Sequence, residues 1–275
     1  MQLPSNFLFS QGNLQDFYEC RRRFQLRYIE KLAWPAIKCE PVLEYEQAMF
    51  KGQKFHRLVN GYFLGIRVDL LTDMAGVSGI LGWWMHFLNF ITGNPYIQGA
   101  ANESEATYLV EIGNHRLIAR YDLIVKRQES IIIFDWKTSQ GRPKRSQLEK
   151  RLQTRIYPYL LAERAPSVFD LNQLSMVYWF SEFPNRQEIF TYSIHHLQQD
   201  KTYLLDLVTE IEGLGSDEYY LTAHEDQCRY CVYRSLCNRG IEAGEFLNGQ
   251  ADLDENANET FNIQFDFQDI QEIEF

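Results

Sequence analysis

Two groups of residues in this chain have types and spacing suited to chemistry. Cys228, Cys231 and Cys237 close at a C-x2-C-x5-C spacing, and Cys20 stands more than 200 residues upstream. Thiolates at such spacing suit a soft metal, either tetrahedral Zn²⁺ or a 4Fe-4S cluster. Between those ends lie the segments IARYDLIV and IIIFDWKTS, whose Asp122, Asp135 and Lys137 can form a metal-dependent hydrolase site. Successive strand side chains face opposite ways, so Asp135 and Lys137 share one face while Phe134 and Trp136 share the other. On the preceding strand, Asp122 is expected to share a face with Ile118, Arg120 and Ile124. A carboxylate inside IIIFDW is costly to desolvate unless paired or bound to a cation. Plain salt bridges, Asp122 with Arg120 and Asp135 with Lys137, are the simpler alternative. Glu105 precedes Asp122 on a neighbouring strand, and Gln153 and Tyr157, four apart, project from one face of the following helix. Two aspartates with backbone carbonyl oxygens suit Mg²⁺ or Mn²⁺. His56 either adds an imidazole ligand, favouring Mn²⁺, or is an ordinary core or surface histidine.

The elements that must position these residues read in order. Residues 14–30 are expected to form a helix carrying Cys20, with Leu14, Phe17, Tyr18, Phe24 and Tyr28 on its apolar side. A second helix over 44–65 has Phe55, Leu58, Val59 and Tyr62 as its buried stripe, with His56 beside it. A third runs through 78–91 and ends at the GNP turn of 93–95. Strands follow at 104–111, 115–125 and 130–136, the first two joined by a Gly113-Asn114 hairpin turn. A helix over 144–164 is expected to kink or restart at Pro158. Strands at 174–180 and 188–194 and an amphipathic helix at 196–214 complete an α/β pattern, with a mixed sheet flanked by helices.

The chain has 275 residues, 45% of them apolar, enough for a sizeable core. Its first residues, MQLPSNFLFSQGN, lack the basic start and apolar run of a secretory leader, and no stretch approaches the roughly 18 apolar residues of a membrane span. A cytoplasmic location and no membrane partner are expected; in a reducing compartment a cysteine cluster binds metal rather than forming disulfides. Cys39 is left over as a buried structural thiol. The formal charge is −10, but ten of the 37 acids lie after Arg239, leaving 27 acids against 27 bases in the first 239 residues. The bases concentrate in CRRRFQLR and in GRPKRSQLEKRLQTR, each a candidate phosphate contact or a solvated helix face. The stretch after about 243 is polar and acidic, and expected to be disordered up to about 260. It ends in FNIQFDFQDIQEIEF, first of all a solubilising tail, alternatively an edge strand, a partner motif or a competitor for a basic DNA channel.

The set GQKFHRL, ARYDLIV, FDWKTS and QTRIY resembles the PD-(D/E)XK nuclease superfamily in its RecB-like branch. With C228RYCVYRSLC237 and Cys20, it looks like the iron-sulfur members of that branch, the CRISPR-associated RecB-type exonucleases and AddB-type nuclease domains. The resemblance covers roughly residues 14–240. It implies a restriction-endonuclease-like sheet, with His56, Asp122, Asp135 and the Trp136 carbonyl holding Mg²⁺ or Mn²⁺, and Lys137 positioning water and stabilising the phosphate. It further implies that Gln153 and Tyr157 contact DNA or order the site. Cys20, Cys228, Cys231 and Cys237 would hold a 4Fe-4S cluster, with zinc as the alternative, joining the N- and C-terminal segments. Ala119 and Tyr121 depart from the family's usual glycine and aliphatic residue. The expected organisation is a nuclease domain over 1–240, with a helical insertion at about 44–95 and cluster segments at 14–30 and 224–240, then an acidic tail at 241–275. The implied function is a DNA exonuclease on single-stranded ends, in repair, recombination or foreign-DNA processing. Any helicase or repair partner would be separate, since the chain has no P-loop. The alternative is a non-catalytic DNA-binding or scaffold subunit of the same fold.

Overall fold

The computed structural model describes residues 3–32, 40–128, 130–139, 141–164, 170–228 and 231–240; Cys39 and the tail of 241–275 lie outside the described residues. Strand β1 (Leu8–Ser10) leads into α1 (Gln11–Glu19), α2 (Arg21–Phe24) and a π-helical turn, Gln25–Ile29. Ser10 starts α1 by a capping box, its hydroxyl accepting the Asn13 N–H while the Asn13 side chain accepts the Ser10 N–H. The helix expected over 14–30 is thus interrupted at Cys20, whose backbone is extended. Next come α3 (Glu40–Phe63), α4 (Val68–Val77) and α5 (Leu81–Gly93). They are followed by β2 (Ala101–Ile112), β3 (His115–Lys126) and β4 (Ile131–Lys137). Helices α6 (Arg145–Lys150) and α7 (Leu152–Arg164), strands β5 (Leu174–Phe180) and β6 (Glu188–Thr191), and helix α8 (Ile194–Gly213) complete the order.

Among the described residues six strands form one mixed sheet, organised around β3. Antiparallel β2 pairs along the length of β3 through the Gly113-Asn114 turn, where Gly113 takes φ +56°. The other edge of β3 is shared. Parallel β1 pairs with it from Leu8↔Arg116 to Ser10↔Ile118, and antiparallel β4 from Leu123↔Phe134 to Lys126↔Ile131. Among the described residues no strand pairs with 119–122 on that edge. Strand β4 lies parallel to β5 after the α6–α7 crossover, and β6 closes the sheet antiparallel to β5. The fold is therefore α/β with a mixed sheet flanked by helices, as expected from the pattern.

Both faces of the sheet are covered. On one, α1, α7 and α8 bring Leu14, Phe17, Ile156, Leu160, Leu204 and Val208 against Leu117, Ala119, Tyr121, Ile131 and Ile133. On the other, α3, α4 and α5 bring Phe55, Leu58, Leu71, Trp84, Phe87 and Ile91 against Leu123, Val125, Ile132, Phe134, Trp136 and Trp179. Burial on both faces explains why β4 and β5 read as near-continuous apolar runs. It also fixes the register of β4, because a one-residue slip would exchange Phe134 and Trp136 for Asp135 and Lys137.

The alternation of β3 changes phase in its middle. Leu117, Ala119 and Tyr121 face α7, yet two residues further Leu123 and Val125 face α3, and Ile124 joins the α7 side. The neighbouring β2 changes with it, for Ala106 packs on the α7 side whereas the Ser104 hydroxyl donates to Asn60 of α3 at 2.8 Å. Asp122 therefore does not share a face with both Arg120 and Ile124, contrary to the strict alternation; it sits at the change of phase.

The expected closure of the fold by a four-cysteine metal cluster is also corrected. Cys20, Cys228, Cys231 and Cys237 are free thiols, within electrostatic reach of one another. Among the described residues, however, they form no group with three ligand atoms mutually within 4.8 Å. The ends are joined instead by ordinary contacts. The Arg22 N–H donates to the Tyr220 carbonyl at 3.2 Å, the Tyr233 hydroxyl to the Leu32 carbonyl at 2.9 Å, and Phe24 stacks on Tyr219. Beneath them Asp16, 3% exposed, accepts from Arg27 and Tyr28 at 2.8 Å and pairs with Arg23. Among the described residues no helix is long and apolar enough to cross a membrane.

Candidate active site

Strands β3 and β4 part after the Leu123↔Phe134 pair, and Asp122 and Asp135 are the next residues on each. Released from the ladder, the Trp136 N–H donates to Asp122 Oδ2 at 2.8 Å. The N–H and C=O of one extended residue lie on the same edge of the strand, so the Trp136 carbonyl also faces the Asp122 side. The next carbonyl, that of Lys137, turns the other way and accepts the Ser181 N–H at 2.8 Å.

Asp122 Oδ1 lies 3.0 Å from His56 Nδ1. The buried stripe Phe55, Leu58 and Val59 seats α3 on the sheet and so fixes the direction of the imidazole. Glu105 stands opposite Asp122 on β2 with a left-handed backbone, φ +51°. That conformation costs a non-glycine residue about 1–2 kcal/mol, and such strain collects at functional sites. Ligand atoms of His56, Glu105 and Asp122 lie within 4.8 Å of one another. Burial, and then the charge of Asp122, hold the Glu105 pKa above the ordinary carboxylate value, while Arg120, 3.1 Å away, acts against both. Two carboxylates beside an imidazole make a donor set that fits one hard or borderline divalent cation, Mg²⁺ or Mn²⁺.

Asp135 takes part in a second group. It is 4% exposed, with Oδ1 accepting the Gln153 amide at 2.6 Å and Oδ2 lying 2.8 Å from Lys137 Nζ. Gln153 comes from α7, whose separation from α6 at Arg151 sets its direction. Arg151 is extended (φ −67°, ψ 137°), so the helix restarts there and not at Pro158, which lies inside α7. One turn beyond Gln153, Tyr157 packs against Tyr121, ring centroids 5.0 Å apart, and its carbonyl accepts the Tyr121 hydroxyl at 2.8 Å. Tyr121, the departure from the family pattern, thus ties β3 to α7.

The residues named from sequence consequently fall into two adjoining groups: His56, Asp122 and the Trp136 backbone; and Asp135, Lys137 and Gln153, with Tyr157 behind. The tight ligand group contains Glu105 and not Asp135. The signal for Glu105 was present, since counting back from the Gly113-Asn114 turn pairs it with Asp122. The second cofactor expectation does not hold. The four thiols provide no 4Fe-4S or zinc cluster geometry, and burial first, with neighbouring thiols adding, raises the pKa of Cys228 and Cys237, the latter to about 11. Spacing along the chain brought the cysteines to one region without making them converge.

Comparison with known proteins adds a family. Residues 8–238 match the PD-(D/E)XK nuclease superfamily. No curated protein matches the chain. Among solved structures, SSO0001 is 16% identical, with a TM-score of 0.42 and coverage of 86% of this chain and 87% of its own. A "Putative exonuclease" from Eubacterium rectale is 10% identical, with a TM-score of 0.49 and coverage of 74% and 79%.

Proposed function

The chain belongs to the PD-(D/E)XK nuclease superfamily, and we propose that it is a metal-dependent deoxyribonuclease of the RecB-like branch. In this reading it hydrolyses phosphodiesters from single-stranded ends, in repair, recombination or foreign-DNA processing. One observation carries the proposal: where β3 and β4 part, the His56, Glu105 and Asp122 ligand group adjoins the buried Asp135–Lys137 pair. The helix-borne His56 and the Gln153-x3-Tyr157 element support the branch. The catalytic domain spans 1–240, with the helices of about 44–95 as an insertion and 241–275 as an acidic tail.

His56, Glu105 and Asp122 would hold a divalent ion, with the Trp136 carbonyl to hand and Asp135 beside it; such an ion lowers the pKa of water and offsets phosphate charge. The protein's own groups do the rest. Lys137 Nζ, placed by Asp135, donates to the phosphate oxygen that gains charge in the transition state. Its role in this reading is electrostatic, as a donor to the phosphate. Gln153 holds Asp135 against rotation, and Tyr157 backs the helix through Tyr121. Asp135→Ala is expected to abolish Mn²⁺- or Mg²⁺-dependent cleavage of single-stranded DNA while binding persists. Full activity in that variant would remove the assignment.

A further inference from the structure

The carboxylates of the candidate site meet cations in two different settings. Lys137, paired with Asp135, has a side chain only 8% exposed. Arg120 Nε lies 3.1 Å from Glu105 Oε2, and the Arg120 side chain is 48% exposed. Glu105 thus belongs to two arrangements at once. Its carboxylate is one of the three ligand groups, with His56 and Asp122, gathered within 4.8 Å, and it is also the partner of an arginine. Arg120 stands two residues before Asp122 on β3. Its neighbours Ala119 and Tyr121 are turned to the α7 core, so the Arg120 side chain leaves the other face of the strand, beside Glu105 and open to solvent.

Charge indicates what that double use serves. A divalent ion on Glu105, Asp122 and a neutral imidazole leaves no net charge, and Asp135 and Lys137 cancel each other. A phosphodiester arrives with a negative charge, which a loaded but neutral site does not attract; Arg120 makes that site positive. We propose that Arg120 is a phosphate-binding residue of the site, exchanged at Glu105: it neutralises that carboxylate while no divalent ion is present, and yields it to the ion and takes a phosphate of the substrate strand when the ion is bound. The inference rests on the nuclease reading for its substrate. A planar guanidinium can address a carboxylate with one edge and a phosphate with another, so the exchange requires a new side-chain rotamer and no movement of β3. Exposure sets the order of contact, since a strand arriving from solvent meets Arg120 before the buried Lys137. Removing the guanidinium should therefore help the ion and hurt the strand, a combination that a merely structural arginine would not give.

The test combines a Mn²⁺ titration followed by the thermal midpoint with anisotropy of end-labelled dT12 in EDTA and in Ca²⁺, the probe being checked for cleavage. Arg120→Gln should tighten Mn²⁺ binding about tenfold, because a positive charge beside the ion is gone and Glu105 is no longer shared. It should leave dT12 affinity in EDTA unchanged and weaken it about tenfold in Ca²⁺, the loss of one charge-assisted phosphate contact. Arg120→Lys should recover part of the Ca²⁺-dependent affinity. Arg116→Gln, an exposed cation four residues earlier on β3, should change neither quantity. Weaker or unchanged Mn²⁺ binding in Arg120→Gln, an equal loss of dT12 affinity with and without Ca²⁺, or wild-type dT12 binding that ignores the ion would overturn the exchange. The pair with Glu105 is partly exposed, so the midpoint of Arg120→Gln in EDTA should stay within a few degrees of wild type, which excludes misfolding as the cause. Wild-type protein that shows both effects yet cuts nothing with Mn²⁺ would leave the exchange standing and remove only the nuclease reading.

Discussion

Asp135 and Lys137 are each nearly inaccessible and 2.8 Å apart, so each offsets a burial cost that the other could not bear alone. Lys137→Met should therefore destabilise the fold by about 3–5 kcal/mol, measured by denaturant unfolding in EDTA. Adding Asp135→Asn to that variant should restore most of the loss; a double variant as unstable as the sum of the singles would show that the pair is not coupled. Gln153→Leu deprives Asp135 Oδ1 of its amide and should cost about 1–3 kcal/mol by the same measurement. The ligand group makes a different prediction. Mn²⁺ should raise the thermal midpoint of wild type, and Glu105→Gln should diminish that shift more than Asp135→Asn does; the reverse order would return Asp135 to the ligand group. At this scale the sequence was informative where chemistry follows type and spacing: His56, Asp122, Asp135, Lys137 and Gln153 all reach one region. It was less so where chemistry depends on direction, as for Glu105, whose left-handed backbone has no counterpart in a propensity.

The elements show where alternation and periodicity hold and where they fail. The bounds of β5 coincide with those expected, the β2–β3 hairpin turns at Gly113-Asn114, and α5 ends at Gly93, because each is set by local turn chemistry or an unbroken apolar run. The phase change of β3 was not legible, since strict alternation presumes a continuous pleat, and the site occupies the place where the pleat is interrupted. Helix α4 escaped notice because its apolar residues do not keep to one face: Leu71 and Ala75 are buried while Leu70, Met74 and Val77 are exposed. The N-terminal helices depend on Asp16, which receives two arginines and a tyrosine. Asp16→Ala leaves Arg23 and Arg27 without that charge and is expected to cost about 3 kcal/mol or more in chemical denaturation. A loss below about 1 kcal/mol would mean that the arginines find other partners.

For the whole molecule, the sheet separates two cores, and the candidate site lies inside it where β3 and β4 part, with residues from both helical layers. His56 comes from one side and Gln153 from the other, so neither layer alone could assemble it. The four-cysteine closure read from the ends of the sequence gives way to a polar and aromatic seam among Arg22, Phe24, Tyr219, Tyr220 and Tyr233. Charge is divided by region, with a balanced body and ten acids after Arg239. Deleting 241–275 should leave the salt slope of single-strand binding unchanged while lowering solubility; a steeper slope would instead mark the tail as a competitor for the DNA path. The most direct test of the central claim is cleavage of end-labelled single- and double-stranded DNA with Mg²⁺ or Mn²⁺ by wild type and Lys137→Ala. Metal-dependent release of label from single-stranded ends by wild type alone is the predicted result. Absence of cleavage by wild type on every substrate, or equal cleavage by both proteins, would contradict it.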